Sequence, residues 1–363
     1  MLIAALLCAP ALLQAQIKVG QTAGFTGPVA AGVKEITDGA KLYLDHINAK
    51  GGIQGQRIEL ISMDDEFVPA KAAANAEELM ANKSVVAMLL SRGTPHTEAI
   101  APLLSKFRVP LIGPSTGARV LHSPVNPWIF NVRAPYRTEA VRAIDHLVTT
   151  GVNKIGMVYV DDSFGADLLA GAQEGFAKHQ LQPALQASFS RSKPQFDAIL
   201  SQVQKLNPQA LLVAGSGQAV ADLTQQLRAT GNRSLLVTFS NNASLGFVKQ
   251  LGTQGRGVIV TQVFPHERSR NFGLVREAME IAKQLNRPEP TPAMLEGFSA
   301  AKVLVAGLNR SSREAGRENL RRALDAITRL DLGDMVLGYS AEDHTGLDYV
   351  DISIIDGSGK FLR

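Results

Sequence analysis

Eight short runs of apolar residues, spread over most of the chain, constrain its fold more than any other feature. They are almost continuously aliphatic or β-branched, as in "VVAMLL" from Val85 and "ALLVAG" from Ala210. Strands that are buried on both faces have this character, because helices cover both sides of a parallel sheet. The segments between the runs carry apolar residues at three- and four-residue steps, which indicates amphipathic helices. The sequence therefore predicts an α/β fold with doubly wound parallel sheets.

Two stretches of the chain repeat the same order of elements. From Pro69 and again from Pro194 the order is helix, strand, loop, helix, strand, loop, with similar spacing between the loops. The loops are "SRGT" and "PSTG" in the first stretch and "GSGQ" and "SNNA" in the second. Repetition of this kind predicts one lobe that is built twice.

The beginning of the chain has the composition of an export signal. Residues 1–16, "MLIAALLCAPALLQAQ", contain no charge and end in small residues, which predicts a secretory signal peptide truncated at its start and cleaved near Ala15. The single cysteine, Cys8, lies in this segment, so the mature protein is expected to have neither a disulfide nor a cysteine metal site. The mature protein is expected to be exported.

Charge and histidine content argue against several other classes. The net charge of +4 is scattered, and no basic run alternates with aromatic residues, so nucleic acid is not an expected partner. The seven histidines show no HExxH-like spacing. Consecutive acids in "MDDEF" alternate sides at a strand end. We therefore expect no metal and no cofactor.

The four loops of the repeat lie at the carboxyl ends of predicted strands. Ligands of doubly wound sheets bind at these ends, where loops and helix N-termini converge. Serine, threonine and asparagine offer hydroxyls and amides there, and exposed backbone N–H groups together with the helix dipole favour negative charge. The pattern predicts a site for a small carboxylate between two facing lobes.

One of these loops also matches a catalytic motif. Gly113 to Gly117 reads G-x-S-x-G, which would make Ser115 the nucleophile of a hydrolase, with His266 or His344 as a partner. That motif requires a long helix directly after the serine, and Pro124 allows barely two turns. Two alternative functions stay open: an exported serine hydrolase that uses Ser115, and a ligand-sensing receptor module.

Longer motifs along the chain resemble a known family. "INAKGGIQGQ", "DDEFVP", "VPLIGPST", "VYVDDSFG" and "GFSAAKVL" are similar to segments of the type I periplasmic solute-binding proteins of the leucine/isoleucine/valine-binding kind, which serve ABC importers. The resemblance implies two lobes joined by three crossovers, with ligand closing the hinge. The implied N-terminal lobe comprises residues 17–134 and 265–335, and the C-terminal lobe comprises 135–264 and 336–363.

The resemblance also implies where a ligand carboxylate is held. Thr94 stands at the family's carboxylate-binding serine, next to Gly93. Ser115, Thr116 and Gly117 stand on the following carboxylate loop, where the family's threonine position falls on Gly117.

The rest of the implied site departs from the family pattern. Phe164 replaces the tyrosine of "DDxYG" and can only pack or stack. "SNNA" stands where amino-acid binders carry an acid for the ligand ammonium, and an unpaired buried ammonium costs several kcal/mol. We expect Phe25 and Phe164 to pack against the apolar part of the ligand. The second lobe is expected to contact its polar end through Ser216, Gln218, Ser240, Asn241 and Asn242.

Cationic side chains near the cleft and the first crossover could bind an additional carboxylate of the ligand. Arg92, Arg133 and Arg137 could each meet an extra carboxylate, and Tyr136 could supply a phenol.

Taken together, the sequence predicts a periplasmic substrate-binding component of an ABC importer, not an enzyme, that is monomeric and delivers its solute to an inner-membrane permease. Two ligand classes stay open: a branched-chain or other neutral amino acid, and an aromatic or aliphatic carboxylic acid.

Overall fold

The computed structural model describes residues 16–311 and 316–363 of the 363-residue chain. The predicted signal peptide lies outside the described residues, apart from Gln16. In the part that the structure describes, none of the helices combines the length and the apolar character needed to cross a membrane.

The first lobe is formed by the first third of the chain. Its elements are β1 (Gln16–Ala23), α1 (Ala30–Ala49), β2 (Arg57–Asp64), α2 (Pro69–Ala81), β3 (Val85–Leu89), α3 (Thr94–Phe107), β4 (Leu111–Ile112) and β5 (Ile129–Phe130). The five strands are parallel in the order β2-β1-β3-β4-β5. All five residues of β3 are buried, as expected of a strand covered by helices on both faces.

The second lobe repeats this plan. Its elements are α4 (Tyr136–Thr149), β6 (Ile155–Val160), α5 (Ser163–Lys178), β7 (Leu185–Phe189), α6 (Asp197–Leu206), β8 (Ala210–Ala214), α7 (Gln218–Ala229), β9 (Leu235–Thr238), α8 (Leu245–Leu251) and β10 (Ile259–Gln262). Its parallel strands have the order β7-β6-β8-β9-β10, which is the order of the first sheet strand for strand. The predicted α/β class and doubly wound sheets are therefore confirmed.

The chain then returns to the first lobe and crosses once more. The elements are α9 (Gly273–Gln284), α10 (Pro292–Arg310), α11 (Arg317–Asp325), β11 (Leu330–Asp331), β12 (Val336–Leu337), β13 (Asp351–Ile355) and β14 (Phe361–Leu362). The last two strands extend the second sheet in antiparallel fashion beside β10. Three crossovers connect the lobes, between β5 and α4, between β10 and α9, and between β12 and β13.

The last predicted lobe boundary differs from the structure. The sequence divides the lobes between residues 335 and 336, whereas β12 pairs with β11, and Leu337, Tyr339 and Leu347 pack in the core of the first lobe. The reason is local: this segment has no long apolar run to indicate which lobe it joins.

The position of α10 follows from its close contact with α1. A Cβ on Gly39 would lie 2.0 Å from the Met294 carbonyl oxygen, and one on Gly297 would lie 1.8 Å from that of Ile36. Only glycine allows these helices to approach so closely. The contact brings the first turns of α10 to the carboxyl end of the first sheet, where a Cβ on Gly113 would lie 2.6 Å from that of Ala300.

Candidate functional site

The candidate site lies where the loops after four strands meet between the lobes. The loops after β3 and β4 come from the first lobe, and those after β8 and β9 come from the second. Arg92 joins both sides: its Nη1 donates to Ser115 Oγ at 2.7 Å and its Nη2 donates to the Asn241 carbonyl oxygen at 2.5 Å. The predicted convergence of strand ends is thus present, and we call this region the cleft.

In the first lobe, the predicted carboxylate residues lie close together. Thr94 and Thr116 share a hydrogen bond of 2.7 Å between their hydroxyls, and Ser115 N donates to the Ser91 carbonyl oxygen at 2.7 Å. A Cβ on Gly117 would lie 2.6 Å from the Ala134 carbonyl oxygen, so a larger residue would push the loop from the crossover. Gly93, with a φ of 93°, precedes Thr94 at the first residue of α3.

In the second lobe, residues 240–242 form a short 3₁₀ turn after β9. Asn242 fastens this turn: its Oδ1 accepts from Gly217 N at 2.9 Å and its Nδ2 donates to the Gly215 carbonyl oxygen at 3.0 Å. Asn241 Nδ2 donates to the same carbonyl at 2.9 Å, while its buried Oδ1 has no hydrogen-bond partner among the described residues. Asn241 therefore presents a free acceptor beside the carbonyl that binds Arg92.

Arg92 is the most unusual charge in the cleft. It is 4% exposed, and no carboxylate of the described residues lies within 4.0 Å of its nitrogens. Its contacts are a hydroxyl and a carbonyl, both neutral. Burial lowers the pKa of Arg92, while Tyr136 and Glu296 act in the opposite direction. A buried cation with only neutral partners is costly, and an anion placed beside it relieves that cost.

Arg133, which the sequence offers as a partner for an extra ligand carboxylate, is bound to other residues of the protein. Its Nη2 binds Glu139 and donates to Ser240 Oγ at 2.5 Å, and its guanidinium lies 4.5 Å from the Tyr136 ring centroid. Glu139 is fully buried and also accepts from Ser240 N at 2.9 Å and from Thr261 Oγ1. Burial favours the neutral form of Arg133, but Tyr136, Glu139 and Glu296 together raise its pKa. Its charge is thus already matched inside the protein.

The remaining predicted site residues lie at varied depths. Phe25 is half-buried beside Phe67, whereas Phe164 is in the second core with its ring edge-on to Tyr136 at 5.0 Å. Gln218 is exposed and donates to Asp222, and Ser216 is half-buried beside Asn241. Arg137 pairs with Asp167 at 3.2 Å and Glu174 at 2.8 Å. The structure therefore brings Arg92 into the cleft and leaves Arg137 in ion pairs outside it.

Ser115 does not have the surroundings of a nucleophile. Its Oγ accepts a hydrogen bond from a guanidinium, whereas a triad serine donates a hydrogen bond to an imidazole. His266 Nε2 contacts the Phe361 carbonyl oxygen at 2.8 Å, and His344 Nδ1 contacts that of Ile129 at 2.9 Å. Neither proposed histidine is a partner of Ser115, so these contacts give the hydrolase alternative no support.

The "MDDEF" acids organise a turn. Asp64 Oδ1 accepts from Phe25 N at 2.8 Å and from Glu66 N at 2.9 Å, and Asp65 Oδ1 accepts from Phe67 N at 2.9 Å. Across residues 16–311 and 316–363, no three His, Cys, Asp or Glu side chains are grouped so that they could hold a metal ion.

The open space in the cleft is small. About 10 Å³ is enclosed by residues that include Arg92, Gly217 and Asn241, which is close to the room for one water molecule. Two larger depressions lie elsewhere: one of about 670 Å³ among charged side chains of α9, and one of about 750 Å³ beside the first crossover, lined by Arg119, Arg137 and Glu342 among others. We assign the site to the cleft in spite of its size, because among the described residues four strand ends and a buried unpaired cation meet only there.

Sequence reasoning missed two acids at the cleft, Glu139 and Glu296. Glu139 lies in the first turn of α4 and Glu296 in the second turn of α10, and both read as ordinary surface acids. Glu296 is 6% exposed, and its Oε1 is 3.9 Å from Arg133 Nη1. The acids near the cleft thus come from α4 and α10, whereas the "SNNA" turn carries none.

Comparisons with known proteins agree with this architecture. A family model described as "Periplasmic binding protein" matches residues 16–359. The Leu/Ile/Val-binding protein of Escherichia coli K12 is 25% identical over 321 residues, which cover 84% of this chain and 82% of that protein. A substrate-binding periplasmic protein from Ralstonia solanacearum has a TM-score of 0.88 at 27% identity, covering 96% of this chain and 99% of that chain. A possible leucine/isoleucine/valine-binding protein from Rhodopirellula baltica SH 1 has a TM-score of 0.90 at 25% identity and 98% coverage of both chains. The chain belongs to the periplasmic binding protein family.

Proposed function

We propose that this protein is the periplasmic substrate-binding component of an ABC importer and that it captures a small carboxylate-bearing solute between its two lobes. The observation that carries this proposal is the buried guanidinium of Arg92, which has neutral partners from both lobes and no carboxylate of its own. No bond is made or broken in this function.

Arg92 would be the main partner of the ligand carboxylate. A guanidinium can bind a carboxylate through two parallel hydrogen bonds, and such charge-assisted bonds are about twice as strong as neutral ones. In the present arrangement Nη1 donates to Ser115 Oγ and Nη2 donates to the Asn241 carbonyl. A carboxylate would replace these weaker acceptors and also remove the cost of the unpaired charge.

The hydroxyls next to Arg92 would complete the carboxylate site. Thr94, Thr116 and Ser115 lie within one hydrogen-bonded group, and their hydroxyls can turn toward an anion without moving the backbone. The loop N–H groups near the start of α3 add a favourable dipole. Gly93 and Gly117 allow this close approach.

Ligand entry would require the cleft to widen, because about 10 Å³ cannot hold an organic acid. Opening at the three crossovers would separate the Asn241 carbonyl from Arg92. Closure around a solute would then depend on contacts that exist only when both lobes touch it, so the ligand's differential affinity for the shut form would drive the hinge. Release from this form would deliver the solute to an inner-membrane permease, with the binding protein acting as a monomer.

Two ligand classes stay candidates. The similarity to Leu/Ile/Val-binding proteins supports a neutral or branched-chain amino acid. The unpaired Arg92 matches a carboxylate and the "SNNA" turn carries no acid for an ammonium group, which supports an aromatic or aliphatic acid.

Calorimetric titration of the purified protein with both ligand classes tests the proposal. Arg92→Gln is expected to weaken binding of the best acid at least about 30-fold, since truncating one partner of a buried charge pair costs about 2 kcal/mol or more. Arg137→Gln, which removes an ion pair outside the cleft, is the matched control and should change affinity less than 3-fold. An acid that binds equally well to the Arg92→Gln variant would contradict the carboxylate site.

A further inference from the structure

Two buried polar atoms lie close together near Arg92 without bonding to each other. Glu296 Oε1 and Arg133 Nη1 both lack a hydrogen-bond partner among the described residues, and they lie 3.9 Å apart. Both side chains are more than nine-tenths buried. This separation is too long for a direct hydrogen bond. An atom beside both, off the line that joins them and about 2.8 Å from each, could accept from the guanidinium and donate to the carboxylate.

The rest of the network leaves both atoms without a partner. Arg133 uses Nη2 for Glu139 and Ser240, and Glu139 is already occupied by Ser240 and Thr261. The start of α10 is held against α1 by contacts that only glycine allows at positions 39 and 297. This contact places Glu296 near Arg133, and its Oε1 is an acceptor without a donor.

A second acceptor in the cleft also lacks a hydrogen-bond donor. Asn241 Oδ1 is buried and unpartnered, although its Nδ2 and its backbone carbonyl are bonded. Glu296 and Asn241 come from different lobes, and both lie near Arg92, whose charge is influenced by Glu296. A ligand that carries only a carboxylate would satisfy Arg92 and leave both acceptors unpaired. Leaving a buried acceptor unsatisfied costs about 1–3 kcal/mol, and more when it is charged.

We propose that Glu296 is a specificity-determining residue that accepts a hydrogen bond from a hydroxyl or ammonium group of the solute whose carboxylate binds Arg92. This inference rests on the proposed function and narrows it. The solute is then a small acid with a hydrogen-bond donor near its carboxylate, either a hydroxy acid or an amino acid, and an unsubstituted fatty or aromatic acid is selected against. A hydroxyl beside Glu296 and Arg133 would act as donor and acceptor at once, whereas an ammonium only donates and relies on the charge of Glu296.

Six acids of matched shape provide the test. The aliphatic set is 4-methylpentanoate, 2-hydroxy-4-methylpentanoate and leucine, and the aromatic set is 3-phenylpropanoate, 3-phenyllactate and phenylalanine. Isothermal titration of the full protein should show that a hydroxy or amino member binds at least 10-fold more tightly than the unsubstituted acid of its set. Tighter binding of the hydroxy acid would identify a hydroxyl as the donor, and tighter binding of the amino acid would identify an ammonium group.

Glu296→Gln then tests the residue itself. The substitution keeps the shape and removes the charge, so it should reduce the preference for the donor-bearing acid at least 10-fold and change binding of the unsubstituted acid less than 3-fold. Glu289→Gln, an exposed position just before α10, is the matched control and should leave all affinities unchanged. If Glu296→Gln does not fold, the affinities of the wild-type protein for the six acids decide the question.

The outcomes separate this inference from the function on which it rests. Binding of all members of a set with equal affinity, or an equal loss for all three in the Glu296→Gln variant, would overturn the role of Glu296 and leave the carboxylate site intact. Absence of binding by all six acids would overturn both.

Discussion

At the scale of single residues, burial decides which ionisable groups can hold a charge. His96 and His122 are both buried, and this burial lowers the pKa of each to about 4. His96 also stacks on Phe67, with ring centroids 4.3 Å apart. Asp65 behaves in the opposite sense, since burial raises its pKa to about 6. All three groups are therefore neutral over part of the range in which they would be charged in the unfolded chain.

These shifts predict how stability depends on pH. A histidine with a lowered pKa in the folded state binds its proton more readily when unfolded, so its stabilising effect is complete above pH 6.5 and is lost as the pH falls toward 4. Each histidine should contribute a slope of up to about 1.4 kcal/mol per pH unit in this window. Asp65 opposes this below pH 6, because the folded state then binds its proton more tightly. Urea unfolding between pH 4.5 and 7.5 should show a net loss of stability on acidification.

Substitutions can show which groups cause this dependence of stability on pH. The double variant His96→Gln and His122→Gln should remove the loss, and the Asp65 term should then make the protein slightly more stable as the pH falls from 6 to 4.5. Asp65→Asn should steepen the loss. An unchanged slope in the double-histidine variant would contradict this account.

At the scale of elements, the Glu139 network joins α4 to the turn after β9 and to β10. Its carboxylate accepts from the backbone N–H and the hydroxyl of Ser240, each at 2.9 Å, and from Thr261 and Arg133. One side chain at the start of α4 thereby fixes the turn that presents Asn241 to Arg92. The network also links the first crossover to the second sheet.

Glu139→Ala should be strongly destabilising. It leaves Arg133 buried with its closest carboxylate lost, and breaking a buried pair in this way costs about 3–5 kcal/mol. Glu174→Ala, which removes an exposed partner of Arg137, should cost less than about 1 kcal/mol. Chemical denaturation measures both values. Similar costs for the two variants would show that the Glu139 network is not a major source of stability.

Whether a strand could be predicted depended on the apolar run that contains it. All eight apolar runs contain strands of the two sheets. Most of these strands are buried on both faces and need no polar alternation, whereas the edge strand β2 has several exposed residues. The edge strand β7 was missed: its sequence "LQASF" is buried only at its two ends. β5 was missed because its apolar run, "WIF", is only three residues long.

The site was predictable to the same limited extent. The serine, threonine and asparagine loops could be located because they directly follow apolar strands. Glu139 and Glu296 could not, because their burial is produced by packing between elements that are distant in sequence. An acid near the N-terminus of a helix normally reads as favourable surface charge.

At the scale of the whole molecule, the two lobes touch at the rim of the cleft as well as inside it. Glu35 on α1 accepts from Leu245 N at 3.1 Å and from Gly246 N at 2.7 Å, so a carboxylate of one lobe binds the first N–H groups of α8 in the other. Thr291 Oγ1 orients the same carboxylate at 2.8 Å. Gln218 N also donates to the Pro28 carbonyl oxygen at 3.3 Å. These contacts depend on the relative position of the lobes and should be lost when the cleft opens.

Gly246→Ala should impair closure of the cleft without lowering the stability of the lobes. Within α8 an alanine is more favourable than glycine by up to about 1 kcal/mol. Across the cleft, however, its Cβ would lie 2.2 Å from that of Ala31, so the lobes could not reach their present contact. We expect an unchanged or slightly higher melting temperature without added acid, together with at least 10-fold weaker binding of the tightest-binding acid among the six, measured by calorimetry. Adding Ala31→Gly to the same chain removes the clashing methyl group and should restore most of the affinity. If Gly246→Ala binds that acid as tightly as the wild type, contact between α1 and α8 is not required for ligand capture.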